Sequence, residues 1–572
     1  MDNSNALYKL WLDKTQDNEA VQKELLSIAG NDDEILDRFY KGLEFGTAGL
    51  RGVIGAGTNR MNTYTVNQAT QGLADYLNVA FASPSVAIAY DSRNFSDIFA
   101  KSAAGVLAAN GIKVYIYPRL VPTPMLSFAV RELSCSSGII ITASHNPAKY
   151  NGYKCYDPNG YQMTDEAAEA TYKYIQQTDI FDGVRTMSFE SGLKSGIIEY
   201  ISDEIIEKFY EKVLSVRINK GICESAKLRV IYTPLNGTGN IPVREILDRI
   251  GQKDVTVVPE QEYPDGNFPT CPYPNPEIRE AFTLALENAE KNGADLLLAT
   301  DPDCDRVGIA VLHDGEYRLM SGNEVGVLLT EYILSCRKAN GTLPDRPVVI
   351  KSFVTTEMVA RVAAKYGGET HSLLTGFKYI GELITKLEKN GEADRFTVGM
   401  EESYGYLSGI HARDKDAVVA SMLITEMAAY YKNMGKTLVD VMNELYSEHG
   451  MYFNKLLNFS FEGASGMQKM RELMDSLREN SPKEIACMPV LCISDYKKSE
   501  TVCVATGEKS KIDLPESNVL KFSLTNGNEV IVRPSGTEPK IKIYITSVET
   551  TREKASALAD AIADSMKKIM NI

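Results

Sequence analysis

Thr142-Ala143-Ser144-His145-Asn146-Pro147 places a hydroxyl, an imidazole and a chain-breaking proline side by side. The hexapeptide follows Gly138-Ile139-Ile140-Ile141, an apolar run that reads as a buried strand ending just before Ser144. Asn146-Pro147 ends regular structure there, because proline lacks an N–H and biases the preceding residue away from helix. A serine presented at a strand end can act as a nucleophile or carry a phosphate, and α/β proteins place reacting groups at such ends. A surface turn rich in Ser, Asn and Pro has the same composition.

A second loop, Thr300-Asp301-Pro302-Asp303-Cys304-Asp305-Arg306, follows the apolar run Leu296-Leu297-Leu298-Ala299. On an extended loop alternate residues share a side, so carboxylates at i, i+2 and i+4 converge on one hard cation. Without a cation they repel one another. An EF-hand needs glycine at loop position six and glutamate at twelve, where Arg306 and Leu312 stand, so that reading fails. Three carboxylates leave room for a phosphate oxygen, and Mg²⁺ favours such partial protein ligation. A solvated acidic turn is the plainer alternative.

Gly399-Met400-Glu401-Glu402-Ser403-Tyr404-Gly405 sets carboxylates beside a hydroxyl, a donor and acceptor set that suits vicinal sugar hydroxyls. Downstream, His411-Ala412-Arg413-Asp414-Lys415-Asp416 adds two cations, with a solvated charge run as the default reading. A fourth loop, Arg533-Pro534-Ser535-Gly536-Thr537-Glu538-Pro539, joins a guanidinium, two hydroxyls and a glycine-freed backbone, all suited to phosphate. No Walker motif and no G-x-G-x-x-G is present, so a nucleotide site is unsupported.

Positioning these loops requires a repeated scaffold. Apolar runs ending in polar loops recur in pairs: Val86–Tyr90 with Ile139–Ile141, Leu228–Tyr232 with Leu296–Ala299, and Val348–Ile350 with Phe396–Val398. Helical sequence follows the first run of each pair, which predicts three α/β units. The first 45 residues are helical in pattern, with Trp11 and Phe39 on apolar faces, and lead into the glycine-dense Phe45–Gly52. Near the end, Leu520–Thr525 and Val530–Arg533 flank Asn526-Gly527 as a hairpin. A strand over 541–544 and an amphipathic helix over 552–570 complete a smaller α+β unit. The predicted domains are 1–204, 205–321, 322–457 and 458–572.

Composition bounds the function class. The 572 residues exceed one core and predict about four domains. A net charge of −15 argues against nucleic acid and anionic membranes, so a phosphate-bearing substrate must meet a local basic cluster. No leader pattern and no apolar run near the roughly 20 residues of a membrane span is visible. The nine cysteines show no C-x-x-C spacing and read as small core residues in a reducing compartment. A cytoplasmic protein, monomeric or weakly homo-oligomeric, is the expectation.

Taken together, the four loops describe a phosphosugar enzyme that passes phosphate through a serine. In order and residue content they resemble the α-D-phosphohexomutase family, in particular its long phosphoglucomutase-type members. The resemblance spans nearly the whole chain and implies four domains around a central cleft, three of them α/β with mixed sheets and the last α+β. It implies that Ser144 carries phosphate, with Mg²⁺ held by that phosphate, Asp301, Asp303 and Asp305. Sugar 1-phosphate and 6-phosphate, foremost those of glucose, would interconvert through a bound 1,6-bisphosphate. Glucose 1,6-bisphosphate would serve as activator. Arg51, His145, Lys154 and Lys415 match catalytic positions, the two lysines as candidates for proton handling. Arg306, Thr375, Glu401 and Ser403 match substrate positions, and Arg533, Ser535, Gly536 and Thr537 the distal phosphate site, joined by Lys542.

Departures bear on specificity. Tyr404-Gly405 stands where members accepting mannose often have glycine and histidine. Met400 replaces the glycine usual before the first glutamate, and Asn236 a common histidine. These changes favour glucose, with phosphopentomutase, phosphomannomutase and bisphosphate synthase activities as alternatives. Asp303-Cys304-Asp305-Arg306-Val307 also fits the D-x-D-x-V pattern of haloacid-dehalogenase phosphotransferases, in which an aspartate would carry the phosphate. A non-enzymatic sugar-phosphate binding protein is the remaining alternative.

Overall fold

A computed structural model describes residues 2–46, 49–461, 466–534 and 540–572. Four sheets follow one another along the chain. The first contains β1 (Gly49–Val53), β2 (Ser85–Tyr90), β3 (Lys113–Ile116), β4 (Ser137–Ile141), β5 (Tyr150–Tyr156) and β6 (Ile198–Tyr200), in the order β1-β5-β4-β2-β3-β6. The second contains β7 (Val230–Thr233), β8 (Val255–Val257), β9 (Leu296–Thr300), β10 (Val307–His313) and β11 (Glu316–Met320), in the order β11-β10-β9-β7-β8. The third, β13-β12-β14-β15, is built from β12 (Val348–Ser352), β13 (Glu369–Leu373), β14 (Phe396–Glu401) and β15 (Gly405–Leu407).

These three sheets share one plan. Each has parallel strands at its centre, and one of these strands turns back into an antiparallel neighbour: β4 into β5, β9 into β10, β14 into β15. The central strands β4, β9 and β14 are buried along their whole length. Both faces are covered by helices, which is why they read as continuous apolar runs rather than alternating ones. The three turns at which these strands reverse hold Ser144, the aspartates and Glu402-Ser403.

The fourth sheet is antiparallel. Its strands are β16 (Met451–Ser460), β17 (Glu484–Ile485), β18 (Met488–Asp495), β19 (Glu500–Cys503), β20 (Lys509–Lys511), β21 (Leu520–Leu524), β22 (Glu529–Pro534) and β23 (Lys540–Glu549). They run β16-β23-β22-β21-β18-β19-β20, with β17 on β18. The turn between β21 and β22 is the Asn-Gly turn read from sequence, with Asn526 in the left-handed region at φ 60°. The helix Arg552–Met570 covers this sheet with Ala559, Ile562, Ala563 and Met566.

One apolar core runs continuously through the first three units, so they hold a common arrangement. Its buried charges are paired. Arg413, with a wholly buried side chain, donates to Glu388 at 2.6 Å and to Thr385 Oγ1 at 3.0 Å. Arg131, from the first unit, reaches the same Glu388 at 2.9 Å. Burial first, and repulsion from Arg131 next, bring the Arg413 guanidinium down to about 10. The charge run 411–416 is therefore not a solvated face: His411, Arg413, Asp414 and Asp416 are all buried, each beside a partner. At the N-terminus Trp11 is fully buried, edge-on to Phe39, Tyr64 and Phe181, and fastens the helical segment to the first unit.

Glu388→Ala leaves the buried Arg413 Nη2 without its carboxylate. The expected loss is about 2 kcal/mol, moderated because Glu388 retains some exposure. Differential scanning calorimetry should show a lower first unfolding transition; an unchanged scan would contradict this role.

Candidate active site

Ser144 sits at φ 53° on the turn after β4 and is buried rather than displayed. Its N–H donates to Thr142 Oγ1 at 2.8 Å, which closes the turn. Its hydroxyl donates to Asp301 Oδ2 at 2.9 Å and lies 3.2 Å from His145 Nδ1. Burial, followed by the cations Arg306, Arg51 and Arg93, drives the His145 imidazole well below its usual range, so it stays neutral.

The turn is held from beneath by Arg93, whose guanidinium is fully buried. Arg93 donates to the carbonyls of Ser144 and Asn146, and to those of Pro147 and Tyr150 at 3.1 Å each. Asp91 receives the Arg93 N–H at 2.9 Å, and the Phe268 ring lies under the guanidinium at 5.0 Å. Four carbonyls converging on one cation fix the turn more tightly than a serine-rich sequence would by itself. Asp91-Ser92-Arg93 follows β2, the parallel neighbour of β4; the pairing that brings Arg93 under the serine turn is set by the sheet and not by the sequence.

The aspartate loop is a tight turn, not the extended segment expected. Cys304 lies at φ 51° and its N–H donates to the Asp301 carbonyl at 2.9 Å. The turn wraps around the Asp301 carboxylate, whose Oδ1 accepts the N–H groups of Asp305 at 3.1 Å and Arg306 at 3.0 Å. Convergence comes from this curl and not from strand alternation. Ligand oxygens of Asp301, Asp303 and Asp305 lie within 4.8 Å of one another, and all three residues are buried.

Cations from three units neutralise the cluster. Lys154 on β5 reaches Asp303 Oδ2 at 3.3 Å, joined by Thr123 Oγ1 at 3.0 Å. Lys415 reaches Asp305 Oδ2 at 3.1 Å and Asp414 at 2.9 Å. Arg306 pairs with Glu277 at 2.8 Å. Against the burial penalty, Lys154 and Thr123 help hold Asp303 below the usual carboxylate range, whereas burial and repulsion from the other two push Asp301 up. Asp305 and Asp414, outweighing burial, hold Lys415 firmly in its charged form. Asp303 Oδ1 and Asp305 Oδ1 remain buried without a hydrogen-bond partner. Two orphaned carboxylate oxygens beside a third carboxylate form a donor set suited to a hard divalent cation.

The third loop closes over this cluster. Arg306 bridges to Gly405, and the Val307 N–H donates to the Tyr404 carbonyl at 3.1 Å. Glu401 is buried and accepts the Gly376 N–H at 2.8 Å, which brings half-buried Thr375 beside it. Half-buried Ser403 lies on the same turn. Glu402 accepts from Ser352 Oγ at 2.9 Å, and burial, reinforced by Glu401, pushes its carboxyl up to about 7. Glu277 gave no sequence signal, since its partner Arg306 lies in a distant segment, and the tie of Glu402 to Ser352 was not legible from the Glu-Glu-Ser run.

Arg533 at the end of β22 stands across from Lys542 on β23. Burial, then Arg533, push Lys542 down, while Glu402 and Glu277 oppose the shift, so this strand pair faces the sugar-suited loop. Ser535, Gly536 and Thr537 lie outside the described residues. Arg51 is exposed on β1, opposite Gly152 of β5. The site thus gathers Ser144, His145, Arg51, Lys154, the three aspartates, Arg306 and Lys415, bordered by Thr375, Glu401, Ser403 and Arg533.

Fold and site together define a four-unit α/β protein that gathers a serine, an acidic cluster suited to a cation and basic groups at one place. The chain belongs to the phosphoglucomutase/phosphomannomutase family: the α/β/α domains I, II and III of that family match residues 42–180, 203–315 and 321–449, and its C-terminal domain matches 494–565. It is 37% identical to the phosphoglucomutase of Staphylococcus saprophyticus over 540 residues, covering 94% of this chain and 96% of that protein. It is 36% identical to the phosphoglucomutase of Staphylococcus aureus over 539 residues, covering 94% and 95%. Among solved structures, Paramecium pp63/parafusin, a phosphoglucomutase in its open form, superposes with a TM-score of 0.69 at 18% identity, covering 93% of this chain and 95% of that one. A phosphoglucomutase/phosphomannomutase family protein from Burkholderia thailandensis gives 0.66 at 19%, covering 92% and 97%. Family membership replaces the haloacid-dehalogenase reading of the aspartate loop. No helix among the described residues is long and apolar enough to cross a membrane.

Arg93→Lys keeps the charge but cannot reach four carbonyls in a planar fork. The expected result is a fall in kcat of about 10²-fold with little change in KM, because the serine is misplaced rather than the substrate lost; steady-state kinetics checks it.

Glu402 retains a proton in the folded state that the unfolded chain has already released. Its contribution to stability therefore falls as pH rises from the ordinary glutamate range through about 7. Glu402→Gln should flatten that part of the profile, as measured by thermal melts from mildly acidic to mildly alkaline buffer.

Proposed function

We propose that this chain is an intramolecular phosphotransferase that interconverts glucose 1-phosphate and glucose 6-phosphate, with Ser144 as the phosphate carrier. The observation that carries the reading is the Ser144 hydroxyl, 2.9 Å from Asp301 in a cluster whose other two aspartates each keep a buried oxygen without a hydrogen bond. The phosphoglucomutase relatives support glucose as the sugar.

In this reading Asp301, Asp303 and Asp305 are the residues that would hold Mg²⁺ beside Ser144. When bound, Mg²⁺ supplies positive charge that offsets the negative charge of the phosphoryl group. The sugar hydroxyl attacks phosphorus, the bond from phosphorus to Ser144 Oγ breaks, and a 1,6-bisphosphate results. Its other phosphate then returns to Ser144 after the intermediate has turned over. Arg51 and Arg306 meet the charge that develops on the moving group. His145, kept neutral, sets Nδ1 3.2 Å from Ser144 Oγ, while Lys154 faces the same aspartates from β5. The shift of Lys415 toward its charged form supports an electrostatic or acid role for it, not that of a base. Glu401 and Ser403, with Thr375, receive hydroxyls that present alike in both orientations. Arg533, Ser535, Gly536 and Thr537 take the phosphate that is not reacting, with Lys542 adjacent. Boundaries near 204, 321 and 457 belong to the same reading, and glucose 1,6-bisphosphate is its activator.

The test is turnover of glucose, mannose, glucosamine, ribose and deoxyribose 1-phosphates with Mg²⁺ and a trace of glucose 1,6-bisphosphate. The glucose substrate should show the highest kcat/KM, chelation should abolish turnover, and Ser144→Ala should lower it by at least about 10³-fold. Radiolabel from the bisphosphate should reside on Ser144 and resist hydroxylamine. Hydroxylamine-labile label that survives Ser144→Ala would refute the assignment.

A further inference from the structure

Six of the nine cysteines are buried; Cys487, Cys492 and Cys503 are not. Cys492 on β18 and Cys503 on β19 are direct cross-strand partners. The Cys503 N–H donates to the Glu508 carbonyl at 2.9 Å and its carbonyl accepts the Gly507 N–H at 2.8 Å, both directed away from β18. The Val504 N–H donates to the Leu491 carbonyl at 2.9 Å. Cys492 and Cys503 therefore form a non-hydrogen-bonded pair, the type whose Cα atoms approach to about 4.5 Å. That spacing lies within the range that a disulfide spans. The next pair along the same face, Ser494 and Thr501, has its hydroxyls 2.8 Å apart, so side chains on this face do meet.

The two thiols are inequivalent. The turn after β19 directs the Thr506 hydroxyl and the N–H groups of Thr506 and Ala505 at Cys503, which lowers its thiol. Cys492 is raised, by burial first and by Cys503 next. A sulfur whose thiol is lowered thus lies beside one whose thiol is raised, the arrangement of an attacking and a resolving cysteine.

We propose that Cys492 and Cys503 are a hydroperoxide-oxidised pair that closes a reversible cross-strand disulfide in the C-terminal sheet. The Cys503 thiolate attacks the peroxide; an S–O bond forms, the O–O bond breaks, and hydroxide or alkoxide leaves. The Cys492 thiol then attacks the sulfenic sulfur; the S–S bond forms and the oxygen departs as water with the thiol proton and the sulfenic hydrogen. Two electrons pass from the thiols to the peroxide, and a thiol reductant returns them. The bond ties the hairpin whose turn carries Tyr496 against Phe353 of the third unit, at 5.3 Å between rings.

The full chain is treated with hydrogen peroxide, alkylated and digested with trypsin without reduction. Cleavage at Lys497 and Lys498 separates the two cysteines, so the bond appears as a joined peptide pair. Expected is that pair, lost on reduction, with Cys487 alkylated. In Cys492→Ser a sulfenic-acid trap should mark Cys503, and in Cys503→Ser the Cys492 thiol should stay reduced at the same dose. Both thiols alkylating in the treated wild type, or Cys487 replacing either partner, would overturn the proposal, and this readout needs no variant to fold.

Discussion

Three carboxylates held out of water, with ligand oxygens within 4.8 Å of one another, repel at about 4 kcal/mol per pair at an effective dielectric of about 20. Much of the architecture answers that repulsion. Lys154 arrives from the first unit, Lys415 from the third, and Arg306 from the aspartate loop itself. Lys415 directly precedes Asp416, which caps the buried helix Ala417–Asn433 by accepting the Val418 and Val419 N–H groups. A cation fixed at a helix start cannot drift from its aspartate. The same compensation explains why the first three units share one core, since separating them would strand like charges.

Each unit solves its part of the problem with one device. A buried parallel strand reverses into an antiparallel neighbour, and the reversal carries the chemistry. Such a reversal needs left-handed backbone in places, which Ser144 and Cys304 supply at φ 53° and 51°, and Tyr404 at φ 64°. None of the three is glycine, so each conformation is held by surrounding bonds and not by intrinsic freedom. Arg93 does this for the serine turn, the Asp301 carboxylate for the aspartate turn, and the bridge between Arg306 and Gly405 for the third. These supports are in place before any substrate arrives, as preorganised electrostatic catalysis requires.

The fourth unit is built differently, as a wholly antiparallel sheet. Arg533 and Lys542 lie on a strand pair that contacts the third unit through the cluster of Phe353, Leu374, Tyr496 and Ile531. Tyr452 of β16 and Val548 of β23 also join the core of the first three units, and Arg552 reaches Glu324 at 3.4 Å.

Much of this was legible in the chain itself. Apolar runs of three or four residues ending in polar loops marked β4, β9 and β14, because strands covered on both faces need no alternation. The Asn526-Gly527 turn and the helix over 552–570 were equally plain, since both patterns are local. So was the chemistry of the loops: a serine before Asn-Pro, three spaced aspartates, a Glu-Glu-Ser run. The curl of the aspartate loop was not legible, because it is set by N–H groups closing on Asp301 rather than by residue spacing. Nor was the burial of 411–416, whose charges are tolerable only beside partners such as Glu388. Ser144 and Asp301 meet across 157 residues, and Arg93 reaches Ser144 across 51. Sequence alone determined which side chains were available at each loop, because strand ends and turns are specified by neighbouring residues. Tertiary structure decided which of them touch and which oxygens stay unpaired, because those outcomes depend on how four separate sheets pack.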